Sequence, residues 1–161
     1  MQIIKKEVLS STNDFIKDNA QHLKSLGLLY VRTDKNPILS KRHLDIQNEL
    51  LKNGASEYVI KNIPQLTYSF NSMCVNSAVV YNQTNLDDLK KLVDIAAQEN
   101  ACIVFMFHKI KKIGELNYDS VWCYDYTKFE EFARHLAQKR DEGMIDILTN
   151  KQAFLIGSHL E

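Results

Sequence analysis

Apolar residues at helical spacing alternate with short continuous apolar runs in the second half of the chain. Residues 86–97 carry an apolar stripe of helical period, and the apolar run 101–107 follows directly. This run is too short to span a membrane and is bounded by polar residues, so it predicts a buried strand. A second amphipathic helix is expected over 127–143, then a short strand at 144–148 and the start of a last helix at 150–154.

The first half of the chain has a weaker pattern. An apolar stripe predicts a helix over residues 12–26 that ends at Gly27, and a short strand is expected over 28–32. A further helix is expected over 41–54. Weak strands are predicted at residues 58–60, 65–70 and 75–81, and a brief extended stretch at 121–124.

Capping residues mark where two of the helices begin. Thr84 or Asn85 can cap the helix whose first turn holds Asp87 and Asp88. The two aspartates look like a catalytic pair, but the positive end of the helix dipole explains them better. Residues 127–130, Thr-Lys-Phe-Glu, have the spacing of a full capping box.

Strands that alternate with amphipathic helices predict an α/β fold with a mainly parallel sheet flanked by helices. The chain has 161 residues, 45% of them hydrophobic, with only five glycines and two prolines. Its length fits one domain over residues 1–161, which can bury about two-thirds of the surface of the unfolded chain.

Charge and cysteine usage exclude several classes of partner. Twenty basic and twenty acidic residues cancel, so there is no electrostatic basis for binding nucleic acid or an anionic membrane. The absence of a signal peptide predicts a cytoplasmic location by default, or a cell-surface or secreted one if the chain belongs to a longer protein. Cys74, Cys102 and Cys123 form no C-x-x-C pair, so neither a disulfide framework nor a zinc knuckle is expected.

Short motifs direct attention to one histidine. The sequence has no glycine-rich phosphate loop, no G-x-S-x-G elbow, and no H-E-x-x-H or H-x-x-x-H pair. His22 and His135 fall on amphipathic helices and are expected at the solvated surface. His108 ends the apolar run 101–107, at the strand end where α/β proteins present reactive groups, and an irregular basic stretch, 109–112, is expected to follow. The alternative is a histidine that only hydrogen-bonds a loop.

The second half of the chain resembles the C-terminal part of the polysaccharide deacetylase family. The likeness rests on the helix that contains Leu92-Val93-Asp94-Ile95-Ala96, the strand that ends at His108, a long loop, and the segments 126–132 and 143–149. Met106-Phe107-His108 resembles the family's late motif, an apolar residue, any residue and histidine, with Met106 in place of the usual leucine. The likeness covers most of residues 12–155.

The resemblance implies a metal-dependent carbohydrate esterase on a distorted, incomplete (β/α) barrel, of which this chain would be the C-terminal portion. His108 would be the general acid that protonates the leaving amine or alkoxide, and Met106 would wall the pocket for the acetyl methyl group. An imidazole suits this role because it exchanges its proton near neutral pH. The expected substrate is a carbohydrate polymer.

The chain also departs from the family. It has no Thr-Phe-Asp-Asp-like segment and no histidine pair, which the family uses as base and metal ligands. Without three protein ligands a catalytic Zn²⁺ is not held. We therefore expect no cofactor in this chain alone, and zinc only in a complete family member.

Three hypotheses follow. The first is a hydrolase fragment that contributes His108 to a site completed by a missing N-terminal half or by a homo-oligomer. The second is a non-catalytic carbohydrate-binding or structural module of a larger surface or particle protein, in which Trp122 and Tyr124, with Tyr118 and Tyr126, stack on sugar rings. These aromatic residues could equally fill gaps in the core. The third is an unrelated α/β protein.

Overall fold

The computed structural model describes residues 10–11, 21–22, 25, 31–33, 39–68 and 74–157, where helices alternate with short strands. The strands are β1 (Ser10–Ser11), β2 (Val31–Thr33), β3 (Cys74–Val75), β4 (Ala78–Val80), β5 (Phe105–Phe107), β6 (Lys109–Lys111) and β7 (Cys123–Asp125). The helices are α1 (Lys41–Lys52), α2 (Glu57–Asn62), α3 (Leu86–Gln98), α4 (Tyr126–Asp141) and α5 (Asn150–Gly157), with a 3₁₀ turn at Ile63–Gln65.

Every ladder between these strands is parallel. β1, β2 and β3 form a three-stranded sheet, while β4 pairs with β5 and β6 pairs with β7. Two residues separate β3 from β4, and the single residue His108 separates β5 from β6. The described strands therefore pair with neighbours that follow them in the chain, which gives a mixed helix–strand fold with short parallel sheets.

Helix α3 lies between two parts of the hydrophobic core. On one side Leu92, Ile95 and Ala96 pack with side chains from α1, α2 and the 3₁₀ turn. On the other side Leu89 and Val93 pack with residues from β4, β7 and α4, namely Val80, Tyr124 and Phe132. A helix with apolar residues on both sides joins the two halves of the described core.

Helix α1 confirms the prediction over 41–54, and α3 and α5 confirm two further helices. Asn85 rather than Thr84 caps α3, since its side chain accepts from the Asp87 N–H. The capping box predicted over 127–130 is wrong, because α4 begins at Tyr126 and its cap lies two residues before Thr127. Its cap is Asp125, whose carboxylate accepts from the Lys128 N–H.

Two strand predictions in the middle of the chain are wrong. Residues 58–60 belong to α2, because Ser56 caps that helix by accepting from the Val59 N–H. Within 65–70, Gln65 ends the 3₁₀ turn and Thr67 forms only an isolated antiparallel bridge with Cys102. Residues 69–70 lie outside the described part.

Three predicted extended segments are shorter or shifted. The run 101–107 forms a strand only at Phe105–Phe107, which is half-buried rather than buried. The stretch 75–81 is divided into β3 and β4. The patch 121–124 becomes β7, Cys123–Asp125.

Residues 144–148, predicted as a strand, have no strand partner within the described residues. They have no regular secondary structure, and Met144, Ile147 and Leu148 are exposed. Of this segment, Ile145 packs against the described core. An apolar run alone does not establish a strand here, because no edge among the described strands supplies hydrogen bonds to it.

The N-terminal predictions fall largely outside the described residues. Of the helix predicted over 12–26, only residues 21, 22 and 25 are described, and all three are helical. Of the strand predicted over 28–32, residues 31 and 32 are described, and both lie in β2.

Candidate functional site

The pairing of the strands places three aromatic residues side by side, each directly before or after a strand. Val80 of β4 pairs with Phe107 of β5, so the next residues along the two strands are Tyr81 and His108. Lys109 of β6 pairs with Cys123 of β7, so the residues before them are His108 and Trp122. We call Tyr81, His108 and Trp122 the aromatic row.

The three rings of the aromatic row are in contact. The His108 and Trp122 ring centroids lie 4.5 Å apart, edge to face. The Tyr81 ring also contacts Trp122, with 5.6 Å between the two ring centroids. His108 is exposed and Trp122 is 44% exposed, so the row presents aromatic surface to solvent.

The backbone around His108 is held by the core. Phe107, the preceding residue, contacts the rings of Tyr124 and Phe129 at centroid distances of 5.5 and 5.1 Å. On the other side, the Lys109 N–H donates to the Trp122 carbonyl at 3.1 Å. His108 is therefore a solvent-facing residue between two anchored neighbours, at the carboxyl end of β5 as predicted.

The segment after His108 corrects one expectation. Residues 109–112 were expected to be irregular, but Lys109–Lys111 form β6 and pair in parallel with β7. His108 thus lies at a break between two strands rather than at the start of a loop. Residues 109–111 form a strand because β7 supplies their hydrogen-bond partners. The sequence predicts residues 121–124 only as a brief extended stretch and so does not indicate this pairing.

Met106 lies next to the aromatic row. It pairs with Val79 and is half-buried, whereas its neighbours Phe105 and Phe107 pack against the core formed with α3 and α4. Because side chains alternate along a strand, the Met106 side chain lies on the face of β5 opposite to that of the two phenylalanines.

Tyr124 does not belong to this surface. It is fully buried, packs with Val80, Leu89 and Phe132, and contacts the Phe107 ring. Burial raises the pKa of its hydroxyl to about 12. Its expected role in stacking on a sugar is thus wrong, because the ring fills the core.

The other two tyrosines of the predicted aromatic set lie elsewhere around the loop. Tyr118 is half-buried and donates from its hydroxyl to Asp125 Oδ2 at 2.9 Å. Tyr126 is 41% exposed, and Lys112 Nζ lies 4.9 Å from its ring centroid. Among the described residues, neither ring contacts Trp122 or His108, whereas the Tyr81 ring contacts Trp122.

Sequence reasoning missed Tyr81. It directly follows β4, and its relation to His108 depends on the pairing of two strands that are 24 residues apart. The sequence could have indicated Tyr81, since parallel neighbouring strands end at the same edge of a sheet and the residues that follow them lie close together.

A polar cavity of about 150 Å³ lies between residues that follow the aromatic row in the chain and the start of α4. Its lining is Asn82, Tyr118, Asp119, Cys123, Asp125 and Lys128. Backbone hydrogen bonding from Lys128 at the start of α4 lowers the pKa of Asp125. Asn82 and Cys123 directly follow Tyr81 and Trp122 in the chain.

The remaining histidines are not gathered at this site. His22 is exposed, as predicted. His135 is only half-exposed, and its buried Nε2 has no hydrogen-bond partner in the part of the chain described, which corrects its expected surface role. Across the described ranges, no three His, Cys, Asp or Glu side chains could together hold a metal ion. No described helix is long and apolar enough to cross a membrane.

Comparison of the chain with protein-family models, with curated proteins and with solved structures finds no match.

Proposed function

We propose that the aromatic row is the carbohydrate-contacting surface of a polysaccharide deacetylase-like hydrolase, and that His108 is its proton donor. The observation that carries the proposal is the exposed His108 ring in edge contact with the half-exposed Trp122 ring at the end of a parallel strand. This arrangement combines a group that transfers protons near neutral pH with an apolar ring face.

The chemistry assigned to His108 is a proton transfer. As the bond between the acetyl carbon and the sugar nitrogen or oxygen breaks, the imidazolium gives its proton to that leaving atom and becomes neutral. Trp122 would orient the sugar by stacking, and Met106, two residues before His108, would contact the acetyl methyl group.

The described residues do not fit a catalytic zinc site, since no three candidate ligands come together. No step of the proposal therefore passes through a metal. Base and metal ligands would come from a further polypeptide half or a second copy of the chain.

The strand order supports a barrel-like architecture as part of the same proposal. Each described ladder is parallel and joins strands that follow one another along the chain. Helices lie between β2 and β3 and between β4 and β5, whereas β6 and β7 are joined by turns. Consecutive strand order with helices between the strands is the arrangement of a (β/α) barrel, of which these strands would form one section.

A second candidate function is a carbohydrate-binding module without catalysis. Contact between Tyr81 and Trp122 favours it, because two touching rings form a stacking surface that needs no proton donor. The two candidates differ in what they require of His108.

The first experiment measures sugar binding. Trp122 is the only tryptophan, so its fluorescence reports on the aromatic row directly during titration with N-acetylglucosamine oligosaccharides. Calorimetry should show that Trp122→Ala weakens binding by about twofold to tenfold, since aromatic contacts contribute about 0.5–1.5 kcal/mol. Val121→Ala, at a neighbouring side chain of the same 44% exposure, is the matched control and should bind normally. Absence of binding by the unaltered chain would contradict both candidates.

The second experiment distinguishes them. In an NMR titration with the same oligosaccharide, a proton donor must contact the sugar, so the His108 ring signals should move while those of exposed His22 stay in place. His108→Ala should leave the fold intact, because the side chain is exposed. Sugar binding with unmoved His108 signals would reject the hydrolase and leave the binding module.

A further inference from the structure

His43, in the first turn of α1, is a buried histidine with hydrogen-bond partners on both ring nitrogens. The residue is 5% exposed. Nδ1 lies 3.1 Å from the Ser40 amide nitrogen, and Nε2 lies 3.0 Å from the Leu66 carbonyl oxygen. We call these two contacts the His43 bridge. It joins the start of α1 to a residue that lies 23 positions further along the chain.

The partners of the His43 bridge determine the protonation state of the ring. A backbone N–H only donates, so Nδ1 accepts from Ser40 and carries no proton. A carbonyl oxygen only accepts, so Nε2 carries the proton and donates to Leu66. A proton on Nδ1 can be accepted by the Ser40 hydroxyl, 3.0 Å away, but it would face the Ser40 N–H, which then loses its acceptor. The bridge is therefore complete only with a neutral imidazole.

The surroundings of the ring also disfavour an imidazolium. His43 lies at the positive end of the α1 dipole, and the first turn of this helix contains no acidic residue. Lys41 and Arg42 directly precede it. The Tyr68 ring contacts His43 at a centroid distance of 5.3 Å, and burial raises the pKa of the Tyr68 hydroxyl, so this neighbour carries no negative charge at neutral pH. The carboxylate of Glu99 is paired with Arg42 at 2.6 Å.

The described elements packed against α1 do not supply a free carboxylate either. The 3₁₀ turn, Ile-Pro-Gln, has no titratable residue. In α2, Glu57 is paired with Lys61. The acidic residues of α1 itself, Asp45 and Glu49, are exposed, and neither is three or four positions from His43, the spacing at which helix side chains meet. A proton on His43 would thus bring a buried charge, which is costly without an opposite partner.

The His43 bridge reaches a segment that is tied to the centre of the fold. Leu66 is buried and packs in the same part of the core as Leu50 of α1. Thr67, the next residue, exchanges two backbone hydrogen bonds of 2.8 Å with Cys102, near the start of the run that leads to β5. Loss of the bridge should therefore loosen α1 from Leu66 and weaken the Thr67–Cys102 pair before it affects the rest of the fold.

We propose that His43 is a pH-sensitive switch: the neutral ring holds the start of α1 against Leu66, and protonation in mildly acidic solution releases it. The released or unfolded chain binds a proton that the closed bridge does not bind. The contribution of the bridge to stability is therefore complete at neutral pH, and it declines as the pH falls through the range in which histidine takes up a proton. This inference requires no ligand and does not depend on the proposed function.

Urea denaturation at about pH 7.5 and about pH 5.5 tests the switch, since histidine changes charge between these values. The matched variant is His43→Gln, because glutamine at this position of a capping box also accepts from the N–H of the capping residue but does not titrate. On acidification, the equilibrium constant of unfolding should rise about threefold more in the unaltered chain than in His43→Gln. One proton taken up on unfolding changes this constant by up to about tenfold per pH unit.

His22→Gln is the control, since it removes an exposed histidine, and it should show the acid dependence of the unaltered chain. Acid dependence that arises from other groups is common to all three proteins and cancels in the comparison. The same acid dependence in His43→Gln as in the unaltered chain would overturn the inference.

Two measurements on the unaltered chain test the switch even if His43→Gln does not fold. NMR of isotope-labelled histidine at neutral pH should show the ring proton of His43 on Nε2, and a proton on Nδ1 would overturn the bridge. Hydrogen exchange then compares amides with hydrogen bonds of the same 2.8 Å length, those of Thr67 and Cys102 beside the bridge and that of Ala78 in β4. Acidification should lower the protection of Thr67 and Cys102 relative to Ala78. An equal change at all three amides would show a general loss of stability and overturn the release of α1.

Discussion

Two tyrosine hydroxyls within the core region differ in whether they have a hydrogen-bond partner. Tyr58 donates from its hydroxyl to the Val79 carbonyl at 2.8 Å. The hydroxyl of Tyr124 is buried and has no partner among the described residues. Burial raises the pKa of both, because it disfavours the charged phenolate.

Removing these two hydroxyls should have opposite effects on stability. Tyr124→Phe removes a buried hydroxyl that has no hydrogen-bond partner among the described residues. The free energy of unfolding should therefore rise by about 1 kcal/mol. Tyr58→Phe leaves the Val79 carbonyl without its donor and should lower the free energy of unfolding by about 1 kcal/mol. Urea denaturation of both variants checks the pair, and equal losses in the two would contradict the assignment.

Tyr124 also makes the free energy of unfolding depend on pH in the alkaline range. The folded pKa of Tyr124, about 12, lies above the ordinary value of 10.0, so its contribution to stability is complete below pH 10 and declines as pH rises toward 12. Tyr124→Phe should therefore lose less stability than the unaltered chain between these two pH values.

At the scale of single residues, the structure exposes His108 and Trp122 but buries Tyr124, which the sequence analysis grouped with Trp122 as an aromatic residue of the segment after His108. In β7 the pairing with β6 and the packing of α4 direct the Tyr124 side chain into the core. Which face a short strand buries depends on its neighbours, and that information is tertiary.

The beginning of helix α4 lies next to the candidate site. Asp125 is the last residue of β7 and also the cap of α4, so one side chain ends the strand, begins the helix and lines the polar cavity. The helix that it caps supplies Phe129 and Phe132, which contact Phe107 beside His108. A substitution of Asp125 should therefore affect the packing around Phe107 and His108.

Loss of the Asp125 cap should cost about 1 kcal/mol in the free energy of unfolding, the usual value for a capping aspartate replaced by alanine. Its folded pKa is lowered, chiefly by the hydrogen bond from the Lys128 N–H. The charged cap thus contributes above the unfolded pKa of about 3.9, and the contribution disappears as pH falls through the folded value.

The check is denaturant unfolding of Asp125→Ala and Asp125→Asn at neutral and acidic pH. Asparagine also caps helices, so it should retain most of the stability and lose the acid dependence. An alanine variant as stable as the unaltered chain at neutral pH would refute the capping role.

Among elements, helices with a long apolar stripe were predictable, and short strands were not. Helix α3 carries apolar residues over three turns, and its own periodicity identifies it. Residues 144–148 look equally apolar, yet a strand exists only where a partner edge is free, and no described strand supplies one. The two-residue error in the position of the α4 cap has a related cause, because Asp125 belongs both to a strand and to the helix cap.

At the scale of the whole molecule, the parallel ladders bring distant parts of the chain to one row. Tyr81, His108 and Trp122 are separated by 27 and 14 residues along the chain, but strand register makes them neighbours. The sequence pattern predicts the alternation of helices and strands. It does not predict the register, which is fixed by packing between elements, so Tyr81 and the cavity were found only in the structure.

The most direct test of the central claim is an amide chemical-shift map of the labelled chain titrated with an N-acetylglucosamine oligosaccharide. The account predicts the largest shifts at Tyr81, His108 and Trp122, with smaller ones at the neighbouring cavity residues Asn82 and Cys123. Shifts that leave this row unchanged and gather instead on the exposed apolar segment 144–148, or no shifts at all, would contradict it.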